Sequence, residues 1–392
     1  MDPRINPYSP GAGTRPPELA GRDAILDAAD TALVRTKRGL HAKGQILLGL
    51  RGVGKTVLLN RIEGIAHDAG LRTVLVEAPE GRALPDILVP PLRRLLLRLD
   101  TTERVQEQVK RAMRVLRSFA STFSMTVGEV AFGVDPEVGS ADSGDLEFDL
   151  SELFVAVAAA AQARETGVAL LVDEVQYLSQ RDLSALIVAL HRVTQRALPM
   201  VFFGAGLPQI AGLAGAAKSY AERLFDYPPV QALPPAAARA ALRAPAEREG
   251  VAYEPDALAD IVAQTQGYPY FLQVWGKHAW NVAAASPITR DDAAGATRRA
   301  EVDLDDSFFR VRLDRLTPRE KDYLRAMAAL GEGPHRSGEI ADRLGVRVQS
   351  VAPLRHKLIQ KGMIYSPAHG DTAFTVPMFD EFLRRAMPSD PA

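Results

Sequence analysis

The 392-residue chain contains no cysteine. That excludes disulfides, thiolate metal sites and cysteine nucleophiles, and it fits a reducing, cytoplasmic setting. Missing too is any run of about 18 apolar residues, so no membrane span and no membrane partner are expected. The longest apolar stretch, Leu153 to Ala161, is short and alanine-rich, as in a packed helix. The opening Met1-Asp2-Pro3-Arg4-Ile5-Asn6-Pro7 has no apolar centre of the kind a signal peptide needs. Neither sign of charge dominates. With 47 Lys and Arg against 48 Asp and Glu, any affinity for nucleic acid has to come from a local patch. His335, His356 and His369 are too scattered for a metal site. The length calls for two or three domains rather than one.

Against this plain background one motif stands out. Gly49-Leu50-Arg51-Gly52-Val53-Gly54-Lys55-Thr56 reads G-x-x-x-x-G-K-T. Gln45-Ile46-Leu47-Leu48 before it reads as a buried strand, and Val57-Leu58-Leu59 after it as the first turns of a helix. The glycines let the main chain curl with its N–H groups pointing inward, and the helix N-terminus adds positive potential. Gly49, Arg51, Gly52, Val53, Gly54, Lys55, Thr56 and Val57 are therefore the expected cradle for ATP. Lys55 is expected to neutralise the β- and γ-phosphates and the Thr56 hydroxyl to ligate Mg²⁺. Arg51 is expected to face solvent or a partner.

The other half of such a site is a strand ending in carboxylates. Gly167-Val168-Ala169-Leu170-Leu171-Val172-Asp173-Glu174 is an unbroken apolar strand of the kind buried on both faces of a parallel sheet. Its two acids fall at the C-terminal end, the edge where open α/β sheets bind ligands. Asp173 is the expected Mg²⁺ partner, and Glu174 the base that polarises water for in-line attack on the γ-phosphate.

Composition shifts divide the rest. Residues 1–20 are rich in proline and glycine and read as an extended arm. Residues 21–230 alternate strands and helices, interrupted by an insertion at about 80–165. Within it, Thr122 to Val134 alternates as a hairpin would, and Asp135 to Asp149 reads as an acidic loop. A further strand, Met200-Val201-Phe202-Phe203, precedes Gly204-Ala205-Gly206. Residues 231–312 are alanine-rich and helical, with Pro234-Pro235 and Glu254-Pro255-Asp256 as helix starts. The pattern changes again over 313–392.

Taken together, Leu19-Ala20-Gly21-Arg22-Asp23, the phosphate loop, the acidic strand and Gly267-Tyr268-Pro269 resemble the AAA+ superfamily. The likeness is to the clade of origin-recognition-type initiators, archaeal-type ATPases and STAND signalling ATPases, and it spans almost the whole chain. It implies an α/β fold: a P-loop NTPase parallel-sheet domain, a helical lid and a C-terminal winged helix-turn-helix. It also implies that the segment around Gly21-Arg22 lies over adenine, that Pro269 opens a lid helix beside the nucleotide, and that Arg223 is a catalytic arginine finger, in cis or in trans. Two departures bear on rate. The end of the strand after the acidic one lacks the usual polar residue, and the Gly267 to His278 segment lacks the arginine many relatives use. Slow turnover, with nucleotide state acting as a switch, is the expectation. Tyr268, Tyr270, Phe271, Trp275 and Trp280 read as lid core.

The last segment carries its own helix signals. Thr317-Pro318-Arg319-Glu320 is a capped helix start, Ser337 to Gly345 a short second helix, and Gln349 to Lys361 a third. Met363 to Ser366 and Ala373 to Val376 then pair as a wing. Arg347, Gln349, Ser350, Arg355, His356 and Lys357 sit where a recognition helix meets bases and phosphates. The residues leave three outputs open: ATP-regulated engagement of double-stranded DNA, a STAND-like switch acting on a protein partner, and a nucleotide-sensing winged-helix transcription factor.

Overall fold

The computed structural model describes residues 1–11, 13, 14, 16–99, 103–123, 134–331, 333–368 and 370–388. The chain divides into two compact units. The first comprises Arg22–Gly49 and Lys55–Val230; the second comprises Met1–Gly21, Leu50–Gly54 and Gln231–Ala392.

In the first unit, α1 (Asp23–Lys37), β1 (Gly44–Leu48), α2 (Lys55–Asp68) and β2 (Arg72–Glu77) lead into α3 (Leu84–Leu99), α4 (Glu103–Phe123) and α5 (Leu146–Ala163). Then follow β3 (Val168–Asp173), α6 (Gln180–Gln195), β4 (Met200–Gly206), α7 (Ile210–Ala217), α8 (Ala221–Leu224) and β5 (Phe225–Asp226). The strands lie in the order β2-β3-β4-β1-β5, and every pairing is parallel. This is the expected α/β parallel sheet. All six residues of β3 and all seven of β4 are buried, which is why both read as unbroken apolar runs.

The described part of the insertion is mostly helical. α3, α4 and α5 share one apolar core with the sheet, through residues such as Leu88, Leu96, Phe119, Leu153 and Phe154. Thr122 and Phe123, expected to open a hairpin, instead end α4; residues 124–133 of that hairpin lie outside the described residues. The acidic loop ends earlier than expected, because its later acids build a helix entrance. Asp145 caps α5, accepting from the Glu147 and Phe148 N–H groups at 2.9 and 3.3 Å. Asp149, fully buried, accepts from Ser143 Oγ and the Gly144 N–H, each at 2.9 Å.

The second unit begins with the N-terminal arm and continues with α9 (Pro235–Arg248), α10 (Pro255–Thr265), α11 (Pro269–Val282) and α12 (Arg290–Asp303). A π-helical turn at Leu304–Phe309 leads into α13 (Arg310–Asp314). Pro235, Pro255 and Pro269 each open their helix, where the missing N–H costs nothing. Tyr268, Phe271, Trp275 and Trp280 are buried as lid core, while Tyr270 is half-buried and stacks on Phe308 with centroids 4.8 Å apart.

The arm is fastened to these helices by its own polar groups. Asn6 Nδ2 donates to Lys277 O at 3.0 Å and to Asn281 Oδ1 at 2.9 Å. Trp280 Nε1 donates to Asp2 O at 2.9 Å, and Tyr8 is buried with its hydroxyl donating to Leu242 O.

The unit closes with α14 (Pro318–Ala328), β6 (His335–Arg336), α15 (Ser337–Leu344), α16 (Val348–Gln360), β7 (Ile364–Tyr365), β8 (Asp371–Phe374) and α17 (Phe379–Ala386). β6, β8 and β7 form a small antiparallel sheet in that order. At the entrance of α14 the Thr317 N–H donates to Glu320 Oε2 at 2.8 Å, and Lys361 Nζ reaches the same buried carboxylate at 2.8 Å.

Candidate nucleotide site

β4 lies between β1, which feeds the glycine loop, and β3, which ends in the acids. Two strand spacings put their C-terminal ends about 10 Å apart. The chain leaving β1 stays close to that edge: the Gly49 N–H donates to Gly206 O at 3.1 Å. Lys55, the first residue of α2, is buried, and its Nζ donates to Gly49 O at 3.0 Å. Beside it, Thr56 Oγ1 donates to Asp173 Oδ2 at 2.5 Å. The structure therefore brings Gly49, Lys55, Thr56, Asp173 and Glu174 to one place.

Burial pushes the Asp173 carboxyl above its ordinary range, while hydrogen bonds from Thr56 and the Glu174 N–H, and the charge of Lys55, act the other way. A hydroxyl and a carboxylate already in contact make a hard-oxygen donor pair that suits Mg²⁺. Glu174 follows in the left-handed region, φ 55° and ψ 38°. That conformation is uncommon for a residue with a side chain and occurs where a turn or a site demands it. It breaks the alternation of β3 immediately after Asp173. The Glu174 N–H donates back to Asp173 Oδ1 at 2.8 Å.

Sequence reasoning missed Gln176. It lies in the 3₁₀ turn Val175–Tyr177, its Nε2 donates to Glu174 Oε2, and its Oε1 accepts from the Leu207 N–H at 3.1 Å. No motif flags a glutamine at this spacing; only the turn brings it back onto the acid.

The middle of the loop, Leu50–Gly54, belongs to the second unit. Gly52 and Gly54 have φ of 83° and 95°, which only glycine adopts without strain. Gly52 O accepts from the Tyr270 N–H at 3.2 Å, in the first turn of the helix that Pro269 opens. Val53 is buried and Val57 half-buried. The expectation that Arg51 faces solvent or a partner is corrected. Its N–H donates to Thr375 O at 3.2 Å, and a Cβ on Gly362 would come within 2.5 Å of its Nη2.

Arg22 is buried, 8% exposed, at the start of α1, and burial lowers its guanidinium pKa. Arg223 sits in α8, exposed, two residues before Phe225, which pairs with Gly44 at the start of β1. That is the N-terminal edge of the sheet, about 16 Å along β1 from the phosphate loop. Arg223 therefore does not join the acids of its own chain, which corrects the cis form of the finger expectation.

In the C-terminal segment, Arg347, Gln349, Ser350, His356 and Lys357 are exposed on and beside α16. Arg355 is not available in the same way. Its guanidinium donates to Thr372 Oγ1 at 2.9 Å, Ser366 Oγ at 2.7 Å and Asp371 O at 2.8 Å, tying α16 to the small sheet.

Residues 18–203 match the AAA ATPase domain family, and residues 306–383 match the family described as Domain of unknown function (DUF8462). No curated protein matches the chain in sequence. Among solved structures, the Walker-type ATPase PABY2304 of Pyrococcus abyssi is 18% identical, with 95% of this chain and 97% of that one covered at a TM-score of 0.59, a likeness of fold. Weaker overlaps include the Thermotoga maritima RuvB Holliday junction branch migration motor (15% identical, 97% and 100% covered, TM-score 0.47). The Aeropyrum pernix ORC1 protein in complex with DNA is another (16% identical, 96% and 94% covered, TM-score 0.47). The match to the AAA ATPase domain family thus spans just under half of the chain.

Proposed function

We propose that the chain binds ATP with Mg²⁺ and hydrolyses it slowly, and that nucleotide state governs a C-terminal module, residues 313–392, read as a winged helix-turn-helix that engages duplex DNA. The observation that carries the ATPase reading is the 2.5 Å bond from Thr56 Oγ1 to Asp173 Oδ2, which joins loop and acid strand across 117 positions of sequence.

In this reading the N–H groups of Gly49 to Val57 cradle the phosphates, and Lys55 Nζ exchanges Gly49 O for a phosphate oxygen. Thr56 and Asp173 would hold Mg²⁺, which shields the charge of the β- and γ-phosphates when bound. Glu174 takes the proton from a water whose oxygen attacks the γ-phosphorus. The bond to the bridging oxygen breaks, and ADP departs with the electron pair. Slow turnover follows from two features. β4 ends in Gly204-Ala205-Gly206 without a polar side chain, and Arg223 is remote in its own chain, so any finger acts in trans. Arg22 and the arm of residues 1–20 would border the adenine, and Pro269 would set the lid helix beside the nucleotide.

DNA engagement rests on Arg347, Gln349, Ser350, His356 and Lys357, exposed together on and beside one helix. Binding through phosphates must weaken steeply with salt. A second reading, the STAND-like switch with a protein partner, draws on the contacts of Arg51 with Thr375 and Gly52 with Tyr270. There the C-terminal segment acts as a clamp on the loop.

The test is ATP binding and phosphate release by the wild type and Glu174→Gln. The variant should bind ATP and release no phosphate. Undiminished release would move the base elsewhere, and no ATP binding by the wild type would end the reading. Salt-dependent retention of a DNA duplex by the full chain separates the DNA output from the clamp.

A further inference from the structure

AAA-type sites need the base carboxylate held against the water it deprotonates, and the end of β4 supplies no polar side chain for this. From the contacts of one turn we infer that Gln176 is the positioning residue for Glu174, and that Gly206 is glycine to make room for it. The inference rests on the ATPase reading above and deepens it.

Three observations converge. First, the Gln176 amide is used at both ends: Nε2 donates to Glu174 Oε2, and Oε1 accepts from the Leu207 N–H at 3.1 Å. A carboxamide is planar, so fixing its oxygen on a main-chain N–H fixes the direction in which its NH₂ points. Second, the anchor is rigid. Leu207 is buried and follows directly on β4, which is paired on both sides, to β1 and β3. Third, the space for the amide is made by the absence of a side chain. A Cβ on Gly206 would lie 2.9 Å from Gln176 Oε1 and 3.0 Å from Ile210 Cγ1. An alanine there has to displace either the amide oxygen or the core isoleucine.

The chemistry follows. Glu174 stands on a left-handed backbone just past the end of β3, with a side chain long enough to swing. Held through one oxygen by Gln176, it keeps the other for the water. The amide carries no charge, so it orients the carboxylate through a directional hydrogen bond alone. Gln176 thus takes, from the turn after the acids, the part that a polar strand-end residue would play.

The test is a set of full-length variants: Gln176→Ala, Gln176→Glu, Gly206→Ala, the double variant Gln176→Ala with Gly206→Ala, and Glu174→Gln as reference. Each is measured for steady-state phosphate release and for binding of a fluorescent ATP analogue. Gln176→Ala should lower kcat by roughly 10- to 100-fold, the range for a catalytic group displaced by an ångström, with analogue affinity and KM unchanged. Gly206→Ala should lower kcat with affinity unchanged as well. Because both act through one contact, the double variant should be no slower than Gln176→Ala alone. Gln176→Glu, which sets a second carboxylate against the first, should be at least as slow as Gln176→Ala.

Wild-type kcat in Gln176→Ala, with Glu174→Gln inactive, overturns the inference and leaves the ATPase reading standing. Losses that multiply in the double variant, or fall on KM instead of kcat, overturn it too. A wild type that releases no phosphate overturns the reading and the inference together.

Discussion

Replacing Gly276 by alanine sets two opposed effects against each other in the middle of α11. Alanine is favoured over glycine in a helix interior by about 1 kcal/mol. At this position, however, the new Cβ would lie 2.6 Å from Cδ1 of Tyr8 and 2.8 Å from its Cε1 and Cγ. These are ring atoms, and the ring is held at its far end. Its hydroxyl donates to Leu242 O and accepts from the Tyr253 hydroxyl at 3.1 Å. Forcing an extra methyl into such a contact costs about 1–3 kcal/mol. The ceiling is eviction of the ring, which loses about 1.5–3 kcal/mol of burial and leaves polar groups unpaired at a further cost of about 1–3 kcal/mol. The clash outweighs the helix preference, so Gly276→Ala should destabilise by about 1–2 kcal/mol. In a Tyr8→Ala background the obstacle is gone, and the same substitution should stabilise by up to about 1 kcal/mol. The sign reversal is the decisive quantity. Both tryptophans of the chain, Trp275 and Trp280, lie on α11, so urea unfolding followed by tryptophan emission reports this unit. An equal loss in both backgrounds would refute the seating of Tyr8 against Gly276.

Lys55→Ala removes a charge-assisted phosphate contact of about 1.5–3 kcal/mol and should weaken ATP by roughly 10- to 150-fold in calorimetric titration. Unchanged affinity puts the phosphates elsewhere. Arg223→Ala should leave phosphate release unchanged at concentrations where light scattering finds single chains, because the register of β5 on β1 keeps it from its own loop. A large loss there contradicts that register argument. If the C-terminal segment binds duplex, Arg347→Ala with Lys357→Ala should reduce the slope of log affinity against log salt by about 2, and an unaltered slope removes both from the interface. Arg355→Ala is expected to act differently. It removes the guanidinium that ties α16 to Thr372, Ser366 and the Asp371 carbonyl, so it should lower the melting temperature at all salt concentrations, and a purely salt-dependent effect would return it to the DNA-facing set.

What the sequence displayed of this molecule was whatever rests on a short repeat or a local steric rule. The strands β3 and β4 were visible because a strand covered on both faces has to be apolar throughout, and a run of six or seven such residues is hard to read otherwise. The glycine loop was visible because its backbone needs positive φ at Gly52 and Gly54, and few residues tolerate that. Pro235, Pro255 and Pro269 marked helix starts for an equally local reason. The acidic stretch near Asp145 misled because a carboxylate that caps a helix and one that faces water are the same letter. Only the geometry shows Asp145 and Asp149 spent on the α5 entrance.

The residues that escaped share a different property: their partner is set by topology and not by spacing. Gln176 meets Leu207 across 31 positions because β3 and β4 are neighbours and both end at the same edge. Tyr8 meets Tyr253 across 245 positions, and nothing periodic in a proline-rich arm announces an anchor. Arg355 looked like a surface cation on a helix until the small sheet supplied three acceptors for it. Even the bond between Thr56 and Asp173, although each residue was expected from its own motif, depended on β4 lying between β1 and β3, an order that no single segment encodes. A motif can therefore nominate the atoms that touch a phosphate, because their chemistry is fixed by the ligand. The groups that hold those atoms in place are chosen by whichever strand happens to lie alongside, and Gln176 with Gly206 is the pair on which that distinction is open to measurement in this chain.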